Sequence, residues 1–383
     1  MNKNMAKKDF EMAEQIIRCW GVYVPSATAK EVAKTLKSGW INTGKKEKEF
    51  RKKISKRFKA PYVVACTTGT AALKIALRAV GVGPGDEVVS TPFTFIATNT
   101  AILEIGAKPV FADIQYDTLN IDPKSVEKMI TKRTKAIMCV HYAGNPVDLD
   151  ELRAVAKKHG LPIIEDSAHA LGSEYRGKPI GATGDIATFS FQCVKIVTTG
   201  DGGAVTTTNP AIYEKMKKLS WYGMDRDAKK TSILDPFPEM PEILGFKANM
   251  NDITATMGCV AMDHLDIALK RRRVVGERYR KELSNLTNVT LIDYKKYWKP
   301  NYQIFPIHVK DRESFANFMW ERNIQVNVNN RRNDMYSMFG GLCKNLANLE
   351  RADADVILIP IHHDLTDKDV KRVIKAIREY DER

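Results

Sequence analysis

Short apolar runs alternate with amphipathic helical patterns through the first two thirds of the chain. Seven of the apolar runs have the length and composition of buried strands: 62–66, 87–90, 109–112, 136–140, 162–165, 186–191 and 204–207. Helical patterns lie between most of them, at 69–80, 96–105, 123–130 and 149–159. Apolar strands that alternate with helices form a mostly parallel sheet covered on both faces. The pattern therefore predicts an α/β fold with a seven-stranded sheet.

The last third of the chain has a different pattern. A helical pattern runs from 251 to about 286, after which a strand candidate at 302–309 mixes with helical patterns at 313–322 and 367–380. This order is typical of a smaller α+β domain. We expect residues 1–250 to form a large α/β domain with N-terminal helices. Residues 251–383 would then hold a linker helix and the smaller C-terminal domain.

The composition is that of a soluble globular protein, with 44% hydrophobic and 28% charged residues, and the net charge is +14. Much of the positive charge lies at 45–57, where Phe50, Ile54 and Phe58 recur every four residues. That spacing predicts an amphipathic helix whose basic face is solvated. Attraction of an anionic small molecule is the alternative interpretation. No nucleic-acid-binding module is recognisable, so no nucleic-acid partner is expected.

The chain has no apolar segment of signal-peptide type at residues 1–8 and no apolar run of membrane-spanning length. Its six cysteines are widely scattered, without CxxC or zinc-ligand spacing. We therefore expect reduced thiols, no metal site, no membrane partner and a cytoplasmic location.

Two strand ends carry the residues that suggest catalysis. Strand 186–191 leads to Lys195 in a turn rich in threonine and glycine, and strand 162–165 is followed by Asp166. Ligands bind at the carboxyl ends of strands in open α/β sheets. An amine and an anion are the two groups that pyridoxal phosphate requires from a protein. The alternatives are a surface charge for Lys195 and a helix N-cap for Asp166.

A phosphate site is indicated where strand 62–66 enters the first helix of the sheet. The turn has the sequence Thr67-Thr68-Gly69-Thr70-Ala71, and free backbone N–H groups at a helix start bind phosphate. The alternative is a threonine N-cap with no ligand. Ser190, at the end of the lysine strand, could donate another hydrogen bond to the same phosphate.

These motifs resemble those of the DegT/DnrJ/EryC1/StrS sugar aminotransferases, which have fold-type I of the pyridoxal phosphate enzymes. The resemblance spans about residues 28–380 and rests mainly on the Lys195 motif, Ser190-Phe…Lys195…Thr-Thr-Gly-Asp-Gly-Gly. Further similar segments lie at 39–44, 69–73, 91–97, 165–173 and 245–252.

The resemblance implies a role for each matching residue. Lys195 would be the Schiff-base lysine, Asp166 the partner of the pyridinium nitrogen, and His169 a neighbour of the ring and its 3′ oxygen. Phe95 would stack on the ring. The phosphate would be held by Gly69, Thr70, Ala71 and Ser190.

The family also implies an assembly. The segment around Lys247 and Asn249 would reach the cofactor phosphate of the neighbouring subunit, which implies a homodimer with shared active sites. The chain departs from the family at both positions, where many members have Asn and Arg. It also departs at 192–193 and at 329–334. In the latter segment Arg331 and Arg332 are candidates for contacting an anionic substrate, with exposure to solvent as the alternative.

The implied activity is transfer of an amino group from glutamate to a keto sugar, with 2-oxoglutarate as the other product and pyridoxamine phosphate as the intermediate cofactor form. The substrate expected from the resemblance is a nucleotide-linked 4-keto-6-deoxy sugar of surface polysaccharide or lipopolysaccharide biosynthesis. A carboxylated keto sugar such as an octulosonate would suit the same charges. The motifs are also compatible with a sugar dehydratase, which the presence of Lys195 disfavours, and with a cofactor-binding regulator that has no enzymatic activity.

Overall fold

The computed structural model describes residues 16–184, 186–228, 241–328 and 330–383. The part of the predicted N-terminal helices that falls in 1–15 therefore lies outside the described residues. Asn329, in the segment 329–334, also lies outside them. The described residues before 210 contain nine strands: β1 (Tyr62–Cys66), β2 (Glu87–Ser90), β3 (Lys108–Phe111), β4 (Thr134–Val140), β5 (Ile163–Asp166), β6 (Glu174–Tyr175), β7 (Lys178–Pro179), β8 (Ile186–Ser190) and β9 (Gly203–Thr207).

Seven of these strands form the central sheet, in the order β1-β9-β8-β5-β4-β2-β3. β9 pairs antiparallel with both β1 and β8, whereas the pairs β8-β5, β5-β4, β4-β2 and β2-β3 are parallel. The predicted mostly parallel seven-stranded sheet is confirmed. Because β4, β5 and β8 run in one direction, their carboxyl ends meet at one edge, and Asp166 pairs with Val140 on one side and Thr188 on the other.

Helices cover both faces of this sheet. They are α1 (Thr28–Lys37), α2 (Lys45–Phe58), α3 (Gly69–Ala79), α4 (Ile96–Glu104), α5 (Pro123–Met129), α6 (Leu149–His159) and α7 (Pro210–Ser220). Successive residues of a strand point to opposite faces. In β4, Ile137 and Cys139 accordingly belong to one apolar cluster, and Ala136 and Met138 to another.

The basic helix α2 packs as its apolar spacing predicts. Phe50, Ile54 and Phe58 are fully buried. The Phe58 ring stacks on Phe189 of β8 with 5.0 Å between centroids, and Phe50 meets Phe191 edge-on at 5.1 Å. α2 thus braces the strand that leads to Lys195.

The C-terminal third contains α8 (Asp252–Asp263), α9 (Leu265–Glu282), β10 (Val289–Leu291), β11 (Trp298–Lys299), β12 (Phe305–Val309), α10 (Arg312–Trp320), α11 (Ala347–Asp355), β13 (Val356–Ile359) and α12 (Asp367–Asp381). β10, β12 and β13 form an antiparallel sheet, while β11 joins the β6-β7 hairpin. Helices and strands thus mix in this third, as the pattern predicted, but a separate smaller domain stays a prediction. The division at residue 250 stays a prediction.

The single long helix predicted from 251 to about 286 is wrong. His264 separates α8 from α9 because its backbone leaves the helical conformation, with φ −101° and ψ 1°. Its imidazole Nδ1 lies 2.9 Å from the carbonyl oxygen of Val260. The apolar spacing continues across the break, so the sequence pattern does not reveal it. No helix in the described ranges combines the length and apolar character needed to cross a membrane.

Candidate active site

A cavity of about 450 Å³ opens at the carboxyl ends of β5 and β8, beside the start of α3. It is lined by seven of the residues that the sequence suggested: Gly69, Thr70, Phe95, Asp166, His169, Ser190 and Lys195. Parallel strand ends and a helix start converge here, although these residues are spread over more than 120 positions of the chain. The fold therefore brings the lysine, the carboxylate and the helix N-terminus to one place.

Lys195 lies in a tight turn after β8. Its backbone N–H donates to the carbonyl of Gln192 at 2.9 Å, and the Gln303 side chain donates to the carbonyl of Val194 at 3.0 Å. Burial lowers the pKa of the Lys195 ammonium to about 8, and the negative charge of Asp166 opposes this shift. About a tenth of the amine is therefore uncharged at pH 7, and able to act as a nucleophile or base, far more than for a lysine of ordinary pKa.

Asp166 ends β5 and is buried, with 5% of its surface exposed. Its Oδ2 accepts a hydrogen bond from Thr98 Oγ1 at 2.7 Å, and its Oδ1 accepts one from the backbone N–H of Ala168 at 3.1 Å. Burial raises the pKa of the carboxyl, whereas these hydrogen bonds and the charge of Lys195 act in the opposite direction. Each carboxylate oxygen keeps a further lone pair for a donor in the cavity.

His169 follows Asp166 by three residues and also faces the cavity. Burial, with a contribution from the charge of Lys195, holds the pKa of its imidazole well below the ordinary value, so the ring is neutral. Its Nδ1 is buried and has no hydrogen-bond partner among the described residues. A buried polar atom of this kind is costly unless a ligand supplies the missing bond.

The turn before α3 has the properties of a phosphate cradle. Thr68 caps the helix by accepting the N–H of Ala71 at 3.0 Å, and no described residue accepts the N–H of Gly69 or Thr70. A Cβ on Gly69 would lie 2.9 Å from Cβ of Ser190, so only glycine allows this close approach. Gly69, Thr70 and Ser190 line the cavity, but Ala71 does not.

Phe95 lies at the mouth of the cavity, immediately before α4, with 60% of its surface exposed. A large exposed aromatic ring beside a polar cavity is suited to stacking on a planar ligand. The loop that carries Phe95 also leads to Thr98, the hydrogen-bond donor to Asp166.

Lys247 and Asn249 lie outside the Lys195 cavity. Lys247 Nζ is 2.5 Å from Asn249 Oδ1 and 4.3 Å from the centroid of the Trp221 ring. Asn249 Nδ2 donates to Thr43 Oγ1 at 2.6 Å. Asn249 and Thr43 line a second cavity of about 880 Å³ beside α1 and α2. Their contact with a cofactor phosphate, on a neighbouring subunit, stays a prediction.

Arg331 and Arg332 do not line the Lys195 cavity either, although their neighbour Asn330 does. Arg332 is buried and forms a two-pronged ion pair with Asp334, with Nε–Oδ1 at 2.8 Å and Nη2–Oδ2 at 2.7 Å. Arg331 is exposed. The guanidinium of Arg332 is thus engaged within its own loop, and a substrate contact by either arginine stays a prediction.

Several cavity residues escaped the sequence analysis: Trp20, Thr98, Tyr142 and Gln303. A signal existed for Thr98, because it lies three residues after Phe95 in a helical pattern that begins at the site. Gln303 has no local signature, whereas Asn330 belongs to the segment 329–334 that the sequence analysis named, and both come from the C-terminal third. Only the packing of that third against the sheet brings them to the cavity.

The residues present fit pyridoxal phosphate. The free N–H groups at the start of α3 suit its phosphate, the unpartnered Nδ1 of His169 suits its ring hydroxyl, and Asp166 suits its ring nitrogen. Lys195 offers the amine that reacts with its aldehyde. Two observations support the fit: His169 Nδ1 is buried without a hydrogen-bond partner among the described residues, and the backbone at Gly69 approaches Ser190 closely.

Comparison with known proteins gives consistent matches over nearly the whole chain. The chain is 34% identical to UDP-4-amino-4-deoxy-L-arabinose–oxoglutarate aminotransferase of Shewanella sediminis, over 91% of this chain and 94% of that protein. It is also 34% identical to the spore coat polysaccharide biosynthesis protein SpsC of Bacillus subtilis, over 91% and 93%. The solved pyridoxal phosphate form of Spr1654 from Streptococcus pneumoniae superposes with a TM-score of 0.88, at 30% identity, covering 96% of this chain and 99% of that one.

These neighbours are fold-type I enzymes, which confirms the predicted fold class, and their family depends on pyridoxal phosphate. The family profile matches residues 24–378, a range that includes every cavity residue described above except Trp20. The chain belongs to the DegT/DnrJ/EryC1/StrS aminotransferase family.

Proposed function

We propose that this aminotransferase moves an amino group from glutamate to a nucleotide-linked keto sugar, with Lys195 and Asp166 as its catalytic residues. One observation carries the assignment: Lys195, Asp166, His169 and the start of α3 line a single cavity, and no ion pair engages Lys195 or Asp166 among the described residues. Charged groups that have no ion-pair partner in a cavity are available to a ligand.

The chemistry follows from the position of each group. When bound, pyridoxal phosphate supplies a ring that withdraws the electrons left on the substrate carbon after loss of a proton. Lys195 provides the amine that binds the cofactor and that afterwards carries this proton, for which a pKa of about 8 is well matched. Asp166 stabilises the positive charge on the ring nitrogen. His169 donates or accepts at the ring hydroxyl through Nδ1, and the start of α3 holds the phosphate.

The substrate class is supported by the relatives and by charge. The Shewanella sediminis relative is named for a UDP-linked amino sugar, and the Bacillus subtilis relative for spore coat polysaccharide biosynthesis. A net charge of +14 favours the approach of an anionic nucleotide sugar. We therefore propose a role in the synthesis of surface polysaccharide or lipopolysaccharide, carried out in the cytoplasm, where all six cysteines would stay unpaired as they are here.

The activity is tested by incubating the holoenzyme with glutamate and a panel of keto sugars, and reading the products by mass spectrometry. Conversion of a 4-keto-6-deoxy nucleotide sugar into its amine, with 2-oxoglutarate formed in equal amount, is expected. Conversion of an octulosonate instead would redirect the proposal to a carboxylated sugar. Loss of water without amine would indicate a dehydratase, and no reaction of the cofactor with glutamate would contradict transamination altogether.

We further propose a homodimer in which Lys247 and Asn249 face the partner's cofactor phosphate. The support is that both residues lie outside their own Lys195 cavity, and that Asn249 lines the second cavity together with Trp40, which is 61% exposed. Exposed apolar surface of this kind is typical of interfaces between subunits. Trp40→Glu is expected to give a monomer in light scattering that has lost most activity. The matched change Trp320→Glu, at 45% exposure on α10, should leave the dimer intact.

A further inference from the structure

Two buried threonines connect the loop at the cavity mouth to Asp166. Thr94 is 3% exposed and Thr98 is 1% exposed, and their Oγ1 atoms lie 2.8 Å apart. Thr98 lies in the first turn of α4 and donates its hydroxyl proton to Asp166 Oδ2 at 2.7 Å. The threonines thus form a continuous hydrogen-bonded line that ends on the carboxylate.

The number of protons available decides which hydroxyl donates each hydrogen bond in this line. A hydroxyl carries one proton, and an ionised carboxylate can only accept. Because the proton of Thr98 is donated to Asp166, the bond between the two threonines must be donated by Thr94. Both hydroxyls therefore point their positive ends toward the Asp166 charge. Bonds of this kind to a charged acceptor are stronger than neutral ones, and a second bond in series strengthens the first.

The far end of the line is held by the C-terminal third of the chain. Asn333, which is fully buried, donates from Nδ2 to the carbonyl of Thr94 at 2.9 Å, and its backbone N–H donates to the carbonyl of Pro92 at 2.9 Å. Its Oδ1 accepts from Asn99 Nδ2 at 2.8 Å. Thr94 is therefore fixed by its backbone as well as by its side chain.

We propose that Thr94 and Thr98 act as a relay of positioning residues that orients Asp166 and keeps its carboxylate ionised for the cofactor ring nitrogen. The proposal rests on the role of Asp166 proposed above. Thr98 and the Ala168 N–H each occupy one oxygen of the carboxylate from the protein side. Asp166 also lines the cavity, so the remaining lone pair of each oxygen is available to a donor there. The relay thereby counteracts burial, which by itself favours the protonated acid.

Other groups near Asp166 are distinguishable from the relay. The charge of Lys195 acts on the carboxylate, His141 lies in its neighbourhood, and the charge of Asp166 in turn raises the pKa of Cys139 on the adjacent β4. His169 lines the same cavity, and its pKa is lowered by burial and by Lys195. None of these side chains is changed by a substitution at Thr98. A shift seen on Thr98→Val and absent from Thr98→Ser is therefore caused by the missing hydroxyl.

The experiment measures binding of pyridoxamine phosphate to the full-length protein freed of cofactor, as a function of pH. This ligand has no aldehyde, so the reaction of Lys195 does not contribute. Without the Thr98 hydroxyl the pKa of Asp166 rises, so the carboxylate is protonated, and affinity is lost, at a higher pH. We expect Thr98→Val to bind about tenfold more weakly and to shift the acid limb upward by about one pH unit. Thr98→Ser should match the wild type.

A ligand control separates positioning from general damage. An analogue of pyridoxamine phosphate with carbon in place of the ring nitrogen cannot report the Asp166 contact, so its affinity should be equal in Thr98→Val and wild type. Thr94→Val, which removes only the outer hydroxyl, should give a smaller loss of about threefold for pyridoxamine phosphate. If Thr98→Val does not fold, Thr94→Val tests the relay in its place. Equal losses for both ligands, or no difference between Thr98→Val and Thr98→Ser, would overturn the relay.

A separate variant tests the role of Asp166 at the ring nitrogen. Asp166→Asn should abolish the preference for pyridoxamine phosphate over the carbon analogue. If that preference survives in Asp166→Asn, the role of Asp166 is wrong and the relay falls with it. If it is lost in Asp166→Asn but retained at every pH in Thr98→Val, the role of Asp166 stands and the relay alone is refuted.

Discussion

Two regions near the cavity carry charged residues: the carboxyl ends of β5 and β8, with Asp166 and Lys195, and the loop segment 330–334. They differ in whether a charge is paired within the protein. Asp166 and Lys195 have no ion-pair partner among the described residues and line the cavity. Arg332 has Asp334 two residues away and is paired with it in a buried, two-pronged bridge. A charge that is satisfied inside its own segment stabilises that segment. A charge that has no ion-pair partner and lines a cavity is available to a ligand.

The comparison is most strongly tested at Lys195. Lys195→Ala removes the only lysine among the described residues that line the cavity, so we expect turnover to fall by about 1,000-fold or more. The cofactor should no longer be covalently attached. Mass spectrometry after borohydride reduction measures the attachment, and product formation measures turnover.

Lys128→Ala is a suitable control, because Lys128 is exposed in the last turn of α5. It should retain full activity and covalent cofactor. Activity that persists in Lys195→Ala would mean that another group performs the proton transfer.

At Arg332 the expected loss is of stability. Arg332→Ala removes the positive charge that pairs with the buried Asp334 carboxylate. Of the partners that Asp334 has among the described residues, only the Cys343 N–H, at 3.0 Å, would remain. Breaking a buried pair in this way costs about 3 kcal/mol or more. Urea unfolding at one fixed protein concentration measures the free energy of unfolding.

The double variant Arg332→Met/Asp334→Leu removes both charges and should recover to within about 1 kcal/mol of wild type. A stable Arg332→Ala protein whose Michaelis constant for the keto sugar is raised would instead assign Arg332 to the substrate.

The pH dependence of cofactor attachment sharpens the comparison further. Lys195 attacks an aldehyde only when uncharged, and burial lowers its pKa to about 8. The rate at which pyridoxal phosphate attaches to cofactor-free protein should therefore rise about tenfold between pH 7 and pH 9 and level off above it. An exposed lysine with an ordinary pKa would give a rise of about a hundredfold that continues beyond pH 9. Stopped-flow absorbance follows the reaction.

The smallest effect is expected at Arg331. Its side chain is exposed, in contrast to that of Arg332, so Arg331→Ala should change the free energy of unfolding by no more than about 0.5 kcal/mol. The same urea series measures it. A clear rise in the Michaelis constant for an anionic keto sugar, without loss of stability, would support Arg331 as the substrate contact. An unchanged constant would exclude it.

Periodicity predicted the strands of the central sheet closely, since β1 and β2 have the predicted bounds and the other five differ by at most two residues at either end. The C-terminal third was predicted less completely. β10 and β13 are three and four residues long, and α11 follows directly into β13. No turn residue separates α11 from β13, so the local pattern does not mark where the helix ends, and the pairing of β13 with β12 determines the boundary. The break at His264 was missed for a related reason, because it changes the backbone and not the apolar spacing.

The sequence by itself determined the α/β class, the strand ends that carry Asp166 and Lys195, and the helix start at Gly69, because each depends on residues within a few positions of one another. The tertiary structure decided which of those residues meet, and that Thr98, Gln303 and Asn330 join them at the cavity. It also decided that Arg332 is held by Asp334 while Lys195 has no ion-pair partner in the described part of the chain, because burial and partners depend on contacts between segments far apart in the chain.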